Sequence, residues 1–153
     1  MRLRIEPCDG EEEVVIYCHS ETHQVQRIAH TVERLLAEDG ELVLTFGETE
    51  FYVPKKEILF FETSGGKLTA HTVQKMYYVG STLQALEQSL PHVFVRASKS
   101  CIVNASWVCA LSKNITGMGE VLFKRSDKKV FVSRGYYRTL KQKIYELHEL
   151  EPR

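Results

Sequence analysis

Cationic side chains beside small hydroxyl residues recur at three widely separated points of the sequence. The three segments are Ser64–Lys67, Arg96–Ser100 and Ser133–Arg138. Each offers a Lys or Arg that can reach a phosphate or a base edge, next to hydroxyl groups that can bond phosphate oxygens. Duplex DNA is recognised by this mixture, because cations release counterions while forked donors read guanine in the major groove. Each segment is weak evidence by itself, and the hypothesis requires a fold that brings the three together.

The distribution of charge also favours a polyanionic partner. The chain carries 20 Lys and Arg against 20 Asp and Glu, so its net charge is zero. Residues 1–50 hold four basic and twelve acidic residues, whereas residues 96–143 hold eleven basic and two acidic ones. This split suggests an acidic module joined to a basic one. The alternatives are an ordinary solvated face, or an intracellular adaptor whose basic face binds an acidic protein.

Recognised motifs for catalysis and cofactor binding are missing from the sequence. It contains no GxSxG turn, no GxGxxG and no GxxxxGK[ST] phosphate loop. The four cysteines are scattered without CxxC spacing, and His19 and His23 lack the further ligands that a tetrahedral metal site needs. We therefore expect no enzyme activity, no cofactor and no metal.

The length and apolar content fit one compact core, or one domain with a small appendage. Of the 153 residues, 43% are hydrophobic and 26% are charged. No apolar run approaches the roughly 18 residues that a membrane span needs, and the amino-terminal stretch lacks the apolar segment of a signal peptide. We expect a cytoplasmic protein with reduced thiols.

The first 40 residues are predicted to form an acidic strand–strand–helix module. Weak alternation over Arg2–Glu6 and a β-branched run over Val14–Cys18 predict two short strands. Apolar residues at helical spacing predict a helix from Thr22, its N-cap, to Glu38, with Gly40 ending it. The period and the charge balance both change near residue 40, so we predict a boundary between residues 1–40 and 41–150.

Beyond this boundary the apolar pattern has mostly the period of two that is typical of strands. The predicted strands are Leu42–Phe46, Glu50–Val53, Ile58–Thr63, Lys67–Val73, Met76–Val79, Val93–Arg96, Ser106–Leu111, Glu120–Lys124 and Lys129–Val132. Turns are expected at Asn114–Gly119 and Ser126–Lys128. The regular spacing of short strands predicts a β-dominated α+β fold rather than a parallel βαβ sheet.

Two helices interrupt the predicted strands. The stretch STLQALEQSLP (81–91) has Ser81 as its expected cap, and Pro91 lies just past its end. The second helix, Gly135–Leu147, closes the domain with an apolar stripe. The stripe consists of Tyr137, Leu140, Ile144 and Leu147.

Aromatic residues in the last third allow a different interaction, with single-stranded nucleic acid. Bases could stack on these rings if the rings lay exposed in one basic groove. Their positions on strands and on a helix stripe favour core packing instead. The residues concerned are Phe94, Trp107, Phe123, Phe131, Tyr136 and Tyr137.

Taken together, three stretches of the chain resemble the LytTR family of bacterial DNA-binding domains. They are EILFFETSGGKLTAHT (Glu57–Thr72), FVRASKSCIVNASWV (Phe94–Val108) and VFVSRGYYRTLKQKI (Val130–Ile144). The helix at 81–91 and an intervening hairpin follow in the expected order, so the resemblance covers roughly residues 42–148. The family often has His-Arg or His-Lys before the motif serine, Ser100, where this chain has Ser98-Lys99.

The resemblance implies stacked short antiparallel β-sheets with flanking helices, which lay loops rather than a recognition helix into successive major grooves. By position, Lys67, Lys99 and Arg134 would face the bases. Contacts to phosphate, or an orienting role, are implied for Ser98, Ser100, Ser133 and Arg138.

Local chemistry adds two expectations for the same region. Asn104 is expected to cap the turn leading to Trp107 through its side-chain oxygen. The hairpin cations are expected to form a solvated face. They are Lys124, Arg125, Lys128 and Lys129.

The resemblance also implies a transcription regulator that binds double-stranded DNA at paired direct repeats. The helix stripe of the first module could form a dimer contact, pack on the β-rich domain or receive a regulatory partner. We expect a homodimer formed through it, because two half-sites raise a modest affinity through effective concentration. About forty residues are too few for the receiver domain that usually precedes this domain, so a stand-alone regulator is expected. Short members of this kind are sometimes paired with a small membrane protein that restrains them, which is a candidate partner here.

Overall fold

A computed structural model describes residues 1–10, 12–38 and 40–148, and contains three helices and ten strands over these ranges. The helices are α1 (His23–Glu38), α2 (Leu83–Ser89) and α3 (Arg134–Leu147). The first five strands are β1 (Glu41–Phe46), β2 (Thr49–Pro54), β3 (Phe60–Ser64), β4 (Lys67–His71) and β5 (Met76–Tyr78). The last five are β6 (Phe94–Ser98), β7 (Cys101–Asn104), β8 (Val108–Lys113), β9 (Gly119–Phe123) and β10 (Lys129–Val132).

The strands form two antiparallel sheets. The larger has the order β2-β1-β5-β4-β3-β7-β6, and the smaller has the order β10-β9-β8. Every strand pair is antiparallel, and β3 pairs with the distant β7 through Phe60↔Val103, Phe61↔Ile102 and Glu62↔Cys101. The β-dominated α+β fold predicted from the sequence is confirmed.

Each face of the larger sheet is covered by a different element. Because side chains alternate along a strand, Phe60 and Phe61 point to opposite faces. Phe60 packs with the inner side of the smaller sheet and with Leu140 of α3. Phe61 packs with Leu83 and Leu86 of α2. Two apolar cores therefore hold the sheet between α2 on one side and the smaller sheet with α3 on the other.

The two strands predicted in the first module are wrong. Residues 1–10 and 12–22 contain no strand or helix, and the apolar side chains of Leu3, Ile5 and Tyr17 are 85–94% exposed. A short strand is stable only when a neighbouring strand and an apolar surface accept it. Alternation in the sequence carries no information on whether such a neighbour exists.

The predicted helix of the first module is confirmed. The hydroxyl of Thr22 accepts a hydrogen bond from the backbone N–H of Val25 (3.3 Å), which caps α1 as expected. Helix α1 lies against α3, where Lys143 donates to Glu33 at 3.0 Å. The boundary predicted near residue 40 includes Asp39, and the predicted second domain ends at residue 150; residues 39, 149 and 150 lie outside the described residues.

Several predicted bounds shift. Strand β7 was not predicted, because Cys101–Asn104 is short and buried on both faces, so it shows no alternation. The strand predicted from Ser106 begins at Val108, after a 3-10 turn over Ala105–Trp107. Thr82, not Ser81, caps α2 by accepting from Ala85 N at 3.1 Å.

The turn between β9 and β10 also differs from its prediction. It falls at Lys124-Arg125 rather than at Ser126–Lys128, and Arg125 adopts a positive φ of 59°. The hydroxyl of Ser126 accepts from Lys128 N (3.1 Å) just after that turn. Over the same described ranges, no helix is both long and apolar enough to cross a membrane.

Candidate nucleic-acid interface

The first donor-rich segment is the tight hairpin turn between β3 and β4. Ser64 pairs with Lys67 across the turn, and Gly65 and Gly66 adopt positive φ values of 59° and 76°. Two successive positive φ angles are typical of a two-residue hairpin, and glycine adopts them without strain. Lys67 is exposed, and its Nζ lies 5.4 Å from the centre of the Tyr78 ring. The ring therefore supports the lysine without neutralising it.

The second segment is the turn between β6 and β7. Ser98 accepts a hydrogen bond from the backbone N–H of Ser100 at 3.2 Å, and the two hydroxyl oxygens are 3.3 Å apart. The guanidinium of Arg96 donates to the carbonyl of Lys99 (2.6 Å) and also pairs with Glu87 at 3.0 Å. Arg96 therefore braces the turn, while the Lys99 side chain is exposed.

The third segment is the junction of β10 with α3. Ser133 occupies the N-cap position, but its hydroxyl makes no capping hydrogen bond. Arg134 is the first residue of the helix and Arg138 lies one turn later, and both are exposed. An uncapped helix start next to two arginines favours an anion such as a phosphate.

Backbone hydrogen bonds bring the three segments to one edge of the molecule. Thr63 N donates to Ser100 O at 2.8 Å, which holds the β6–β7 turn beside the β3–β4 turn. Ser133 N donates to Ala97 O at 2.9 Å, which holds the start of α3 beside the end of β6. Segments separated by about 35 residues in sequence are thus neighbours in space.

Within the described residues, the cations at this edge are not neutralised by carboxylates. Over residues 1–10, 12–38 and 40–148, none of the four side chains on this edge forms an ion pair. They are Lys67, Lys99, Arg134 and Arg138. By contrast, Arg96 and Lys143 are both paired with glutamates. The edge therefore keeps its positive charge available for a partner.

One element of this edge was not predicted to take part. The loop between β8 and β9, Asn114–Met118, was expected only as a turn, and it packs on Arg134. A Cβ atom at Gly117 would lie 2.9 Å from Arg134 Cδ. Asn114 and Gly117 indicate the turn in the sequence, but the contact of Gly117 with Arg134 could be found only from the structure.

The expected solvated face on the β9–β10 hairpin is wrong for Lys128. This side chain is half-buried and donates to two backbone carbonyls, Thr72 O at 2.9 Å and Lys75 O at 3.1 Å. Burial lowers the pKa of Lys128. The lysine joins the hairpin to the end of β4 and has a structural role.

The buried polar and ionisable groups of β7 serve the fold. Asn104 is 1% exposed; its Nδ2 donates to Ile58 O at 3.0 Å and its Oδ1 accepts from Ser106 N at 3.1 Å, which confirms the expected cap. Burial, with a smaller contribution from Glu62, raises the pKa of the Cys101 thiol far above its ordinary value.

Most of the aromatic residues considered for base stacking pack in or against the apolar cores. Phe123 is 2% exposed, and Phe94, Tyr136 and Tyr137 pack against the two cores. The indole N–H of Trp107 donates to Lys56 O at 2.6 Å. Phe131 is 60% exposed, on the outer side of the smaller sheet. A continuous stacking platform is therefore not formed by these six rings.

The fold and this edge define a β-rich domain that presents cationic loops to an anionic partner. A family model described as LytTr DNA-binding domain matches residues 48–145, and the chain belongs to this family of DNA-binding domains. A solved structure titled "LytTr DNA-binding domain of putative methyl-accepting/DNA response regulator from Bacillus cereus" shares the fold. Its TM-score is 0.64 at 20% identity, over 69% of this chain and 97% of that one.

Curated relatives extend beyond the matched region. "Sensory transduction protein LytT" of Bacillus subtilis (strain 168) is 28% identical over 119 residues, which cover 77% of this chain and 49% of the relative. The protein of the same name from Bacillus anthracis is 31% identical over 107 residues, which cover 69% of this chain and 43% of the relative. The chain spans about half the length of the curated relatives it matches.

Proposed function

We propose that this chain is a cytoplasmic, sequence-specific transcription regulator that binds double-stranded DNA through loops, as a homodimer on direct repeats. The observation that carries the proposal is the convergence of three donor-rich turns on one edge whose cations are unpaired among the described residues. The regulatory role is supported by relatives named as sensory transduction proteins.

The roles of individual residues follow from their reach and chemistry. Lys67, Lys99 and Arg134 end in exposed donors, and Arg134 has the planar fork that bonds guanine O6 and N7 together. Phosphate contacts are proposed for the shorter or outlying groups, because these fix register without reading sequence. Those groups are Ser98, Ser100, Ser133 and Arg138.

The test is selective binding by the purified chain. A preferred duplex is selected from a random-sequence library, and Kd is measured for it and for a scrambled duplex. Arg134→Ala should lower the affinity for the selected duplex by about 1–3 kcal/mol and relax the preference at one base pair. Lys129→Ala is the matched control, since Lys129 is exposed at the opposite end of β10 from Ser133. This control should affect both duplexes alike.

Two outcomes contradict the proposal. Equal losses on both duplexes for Arg134→Ala would remove the base-reading role of this residue. A wild-type chain that shows no preference for any duplex, yet binds an acidic polypeptide such as polyglutamate, would identify the basic edge as a protein-binding surface.

A further inference from the structure

The loop between β8 and β9 forms a seat for the side chain of Arg134. A Cβ atom built on Gly117 would lie 2.9 Å from Arg134 Cδ and 3.1 Å from Cγ. Real Cβ atoms are not found as close as 2.9 Å to such atoms, so the aliphatic stem of Arg134 occupies space that only a glycine leaves open. Gly117 also has a φ of +88°, which glycine adopts without strain.

This seat is rigid because the loop folds around one side chain. Asn114 Oδ1 accepts hydrogen bonds from Thr116 N (3.1 Å), Thr116 Oγ1 (2.7 Å) and Met118 N (3.0 Å). The backbone closes the same loop, since Asn114 N donates to Met118 O at 2.9 Å and Gly117 N donates to Asn114 O at 3.1 Å. Gly117 is therefore held in place independently of α3.

A second contact fixes the strand ends on either side of the loop relative to the first turn of α3. A Cβ atom on Gly119 would lie 2.6 Å from Tyr137 Cδ2, so the tyrosine ring rests directly on the β9 backbone. Lys113 Nζ lies 5.1 Å from the centre of the same ring. The loop, the ring and the stem of Arg134 thus form one packed unit.

Arg134 has little else to orient it. Within the described part of the chain, no side-chain hydrogen bond or ion pair holds its guanidinium. An arginine that reads one base pair must have its stem held before binding, because a group displaced by about an ångström loses its specific contacts. Contact with Gly117 supplies this restraint.

We propose that Gly117 is a positioning residue that sets where the Arg134 guanidinium enters the groove, and therefore which base pair Arg134 reads. The proposal rests on the proposed function, in which Arg134 faces a base. The proposal adds the β8–β9 loop to the three segments of the interface. This loop acts through Arg134, at the junction of β10 with α3.

The test compares asparagine substitutions at two glycines that both have a positive φ, +88° at Gly117 and +63° at Gly47. Gly117→Asn adds a Cβ against Arg134, and asparagine tolerates positive φ better than most residues. Gly47→Asn is the matched control, because Gly47 also has a positive φ (+63°) but has nothing within 4 Å of the added Cβ. Thermal unfolding of both variants verifies that they fold.

The readout is the ratio of Kd values for the selected and scrambled duplexes. Gly117→Asn should reduce this preference about tenfold, while Gly47→Asn should leave it unchanged. In an Arg134→Ala background, Gly117→Asn should cause no further loss, because the residue acts through Arg134. Nitrogen-15 relaxation of the Arg134 Nε–H group should show greater mobility in Gly117→Asn without DNA.

The possible failures are distinguishable. If the wild-type chain prefers no duplex, the proposed function fails. If the wild-type chain and Arg134→Ala behave as proposed but Gly117→Asn retains full preference, the positioning role is wrong. An equal loss with and without Arg134 would also overturn it.

Discussion

At the residue scale, Asn104 joins the end of β7 to the distant segment that precedes β3. Its side chain bonds Ile58 O and Ser106 N while almost fully buried. Asn104→Ala would leave these groups without partners in an apolar environment, so we expect a loss of about 2–3 kcal/mol in the free energy of unfolding. Urea denaturation of the two proteins measures this difference.

The matched control is Asn114→Ala. Asn104 has a third side-chain hydrogen bond, from Ser106 Oγ (2.6 Å). Asn114 also makes three, but it is exposed, so water replaces them when the side chain is removed. This variant should lose about 1 kcal/mol or less. Equal losses for both asparagines would mean that burial does not determine the contribution of Asn104.

The cysteines differ in reactivity for a physical reason that the sequence does not reveal. Cys101 is 2% exposed and the pKa of its thiol is raised by burial, whereas Cys109 is exposed. Since the thiolate is the reactive form, pulse labelling with iodoacetamide at neutral pH should modify Cys109 and spare Cys101. Mass spectrometry of the labelled peptides gives both rates. Comparable rates in the folded protein would contradict the buried position of β7.

At the element scale, the periodicity of apolar residues predicted the elements that have one buried face and missed an element that is buried on both faces. Helix α3 has a stripe that the sequence displays directly, and Leu140 and Ile144 are buried as expected. Strand β7 escaped prediction because every one of its residues is buried, which leaves no alternation to detect. The strands predicted before residue 20 failed for a different reason. Weak alternation and a β-branched run are present in the sequence, but neither segment pairs with a strand within the described residues.

Sequence reasoning proposed residues for the candidate interface but could not predict how close together they lie. Residue types and the family resemblance suggested Lys67, Lys99 and Arg134, and their contacts with DNA stay a prediction. Their proximity depends on hydrogen bonds such as Thr63 N to Ser100 O, which join segments far apart in sequence. The contact of Arg134 with Gly117 could not be predicted, because a glycine in a turn does not indicate in the sequence which side chain packs against it.

Strand β4 carries a histidine that should make the stability of the fold depend on pH. His71 stacks on Phe60, with ring centres 4.3 Å apart, and Nε2 lies 3.0 Å from Thr69 Oγ1. Burial, and then the charge of Lys128, lowers the pKa of His71 to about 4 from 6.5. Between these two pKa values, His71 is protonated in the unfolded chain but neutral in the folded chain. The free energy of unfolding therefore decreases as pH falls from about 6.5 to 4.

His71→Gln should remove that contribution. Urea denaturation from pH 7.5 to pH 4 should show a shallower loss of stability for this variant than for the wild-type chain. His92→Gln, at an exposed position, serves as the control and should follow the wild-type curve. Parallel curves for His71→Gln and the wild type would show that the histidine titrates normally in the fold.

At the scale of the whole molecule, positive and negative charge are separated along the chain. Two of the three segments on the proposed DNA-binding edge lie in the basic region, residues 96–143, whereas the first 50 residues carry twelve of the 20 acidic residues. Helix α1 lies against α3 through Glu33 and Lys143 and leaves Leu35 and Leu36 more than half exposed. These exposed leucines are consistent with the proposed dimer contact, and the acidic segment should face away from the duplex.

The salt dependence of duplex binding tests how many copies of the chain bind one DNA duplex together. One copy presents four exposed cations on the edge that form no ion pair with any described residue, namely Lys67, Lys99, Arg134 and Arg138. A cation that enters a groove also lies beside the phosphates, so we count each of the four as neutralising one phosphate charge, whether it contacts a base or a phosphate. Each charge neutralised contributes about −0.9 to the slope of log K against log salt, so one copy gives at most about −4 and a dimer about −7. We therefore expect a slope of about −5 to −8 on a duplex with two half-sites.

Arg138→Ala distinguishes binding as a dimer from binding as single copies. In a dimer, this one substitution removes two phosphate contacts, so the slope should become less steep by about 1.8, whereas a single bound copy would lose about 0.9. On a duplex with one half-site, the slope itself should be about half of that on the paired site. A wild-type slope near −4 on both duplexes, with a change of 0.9 in the variant, would mean that single copies bind and that the two half-sites are read independently.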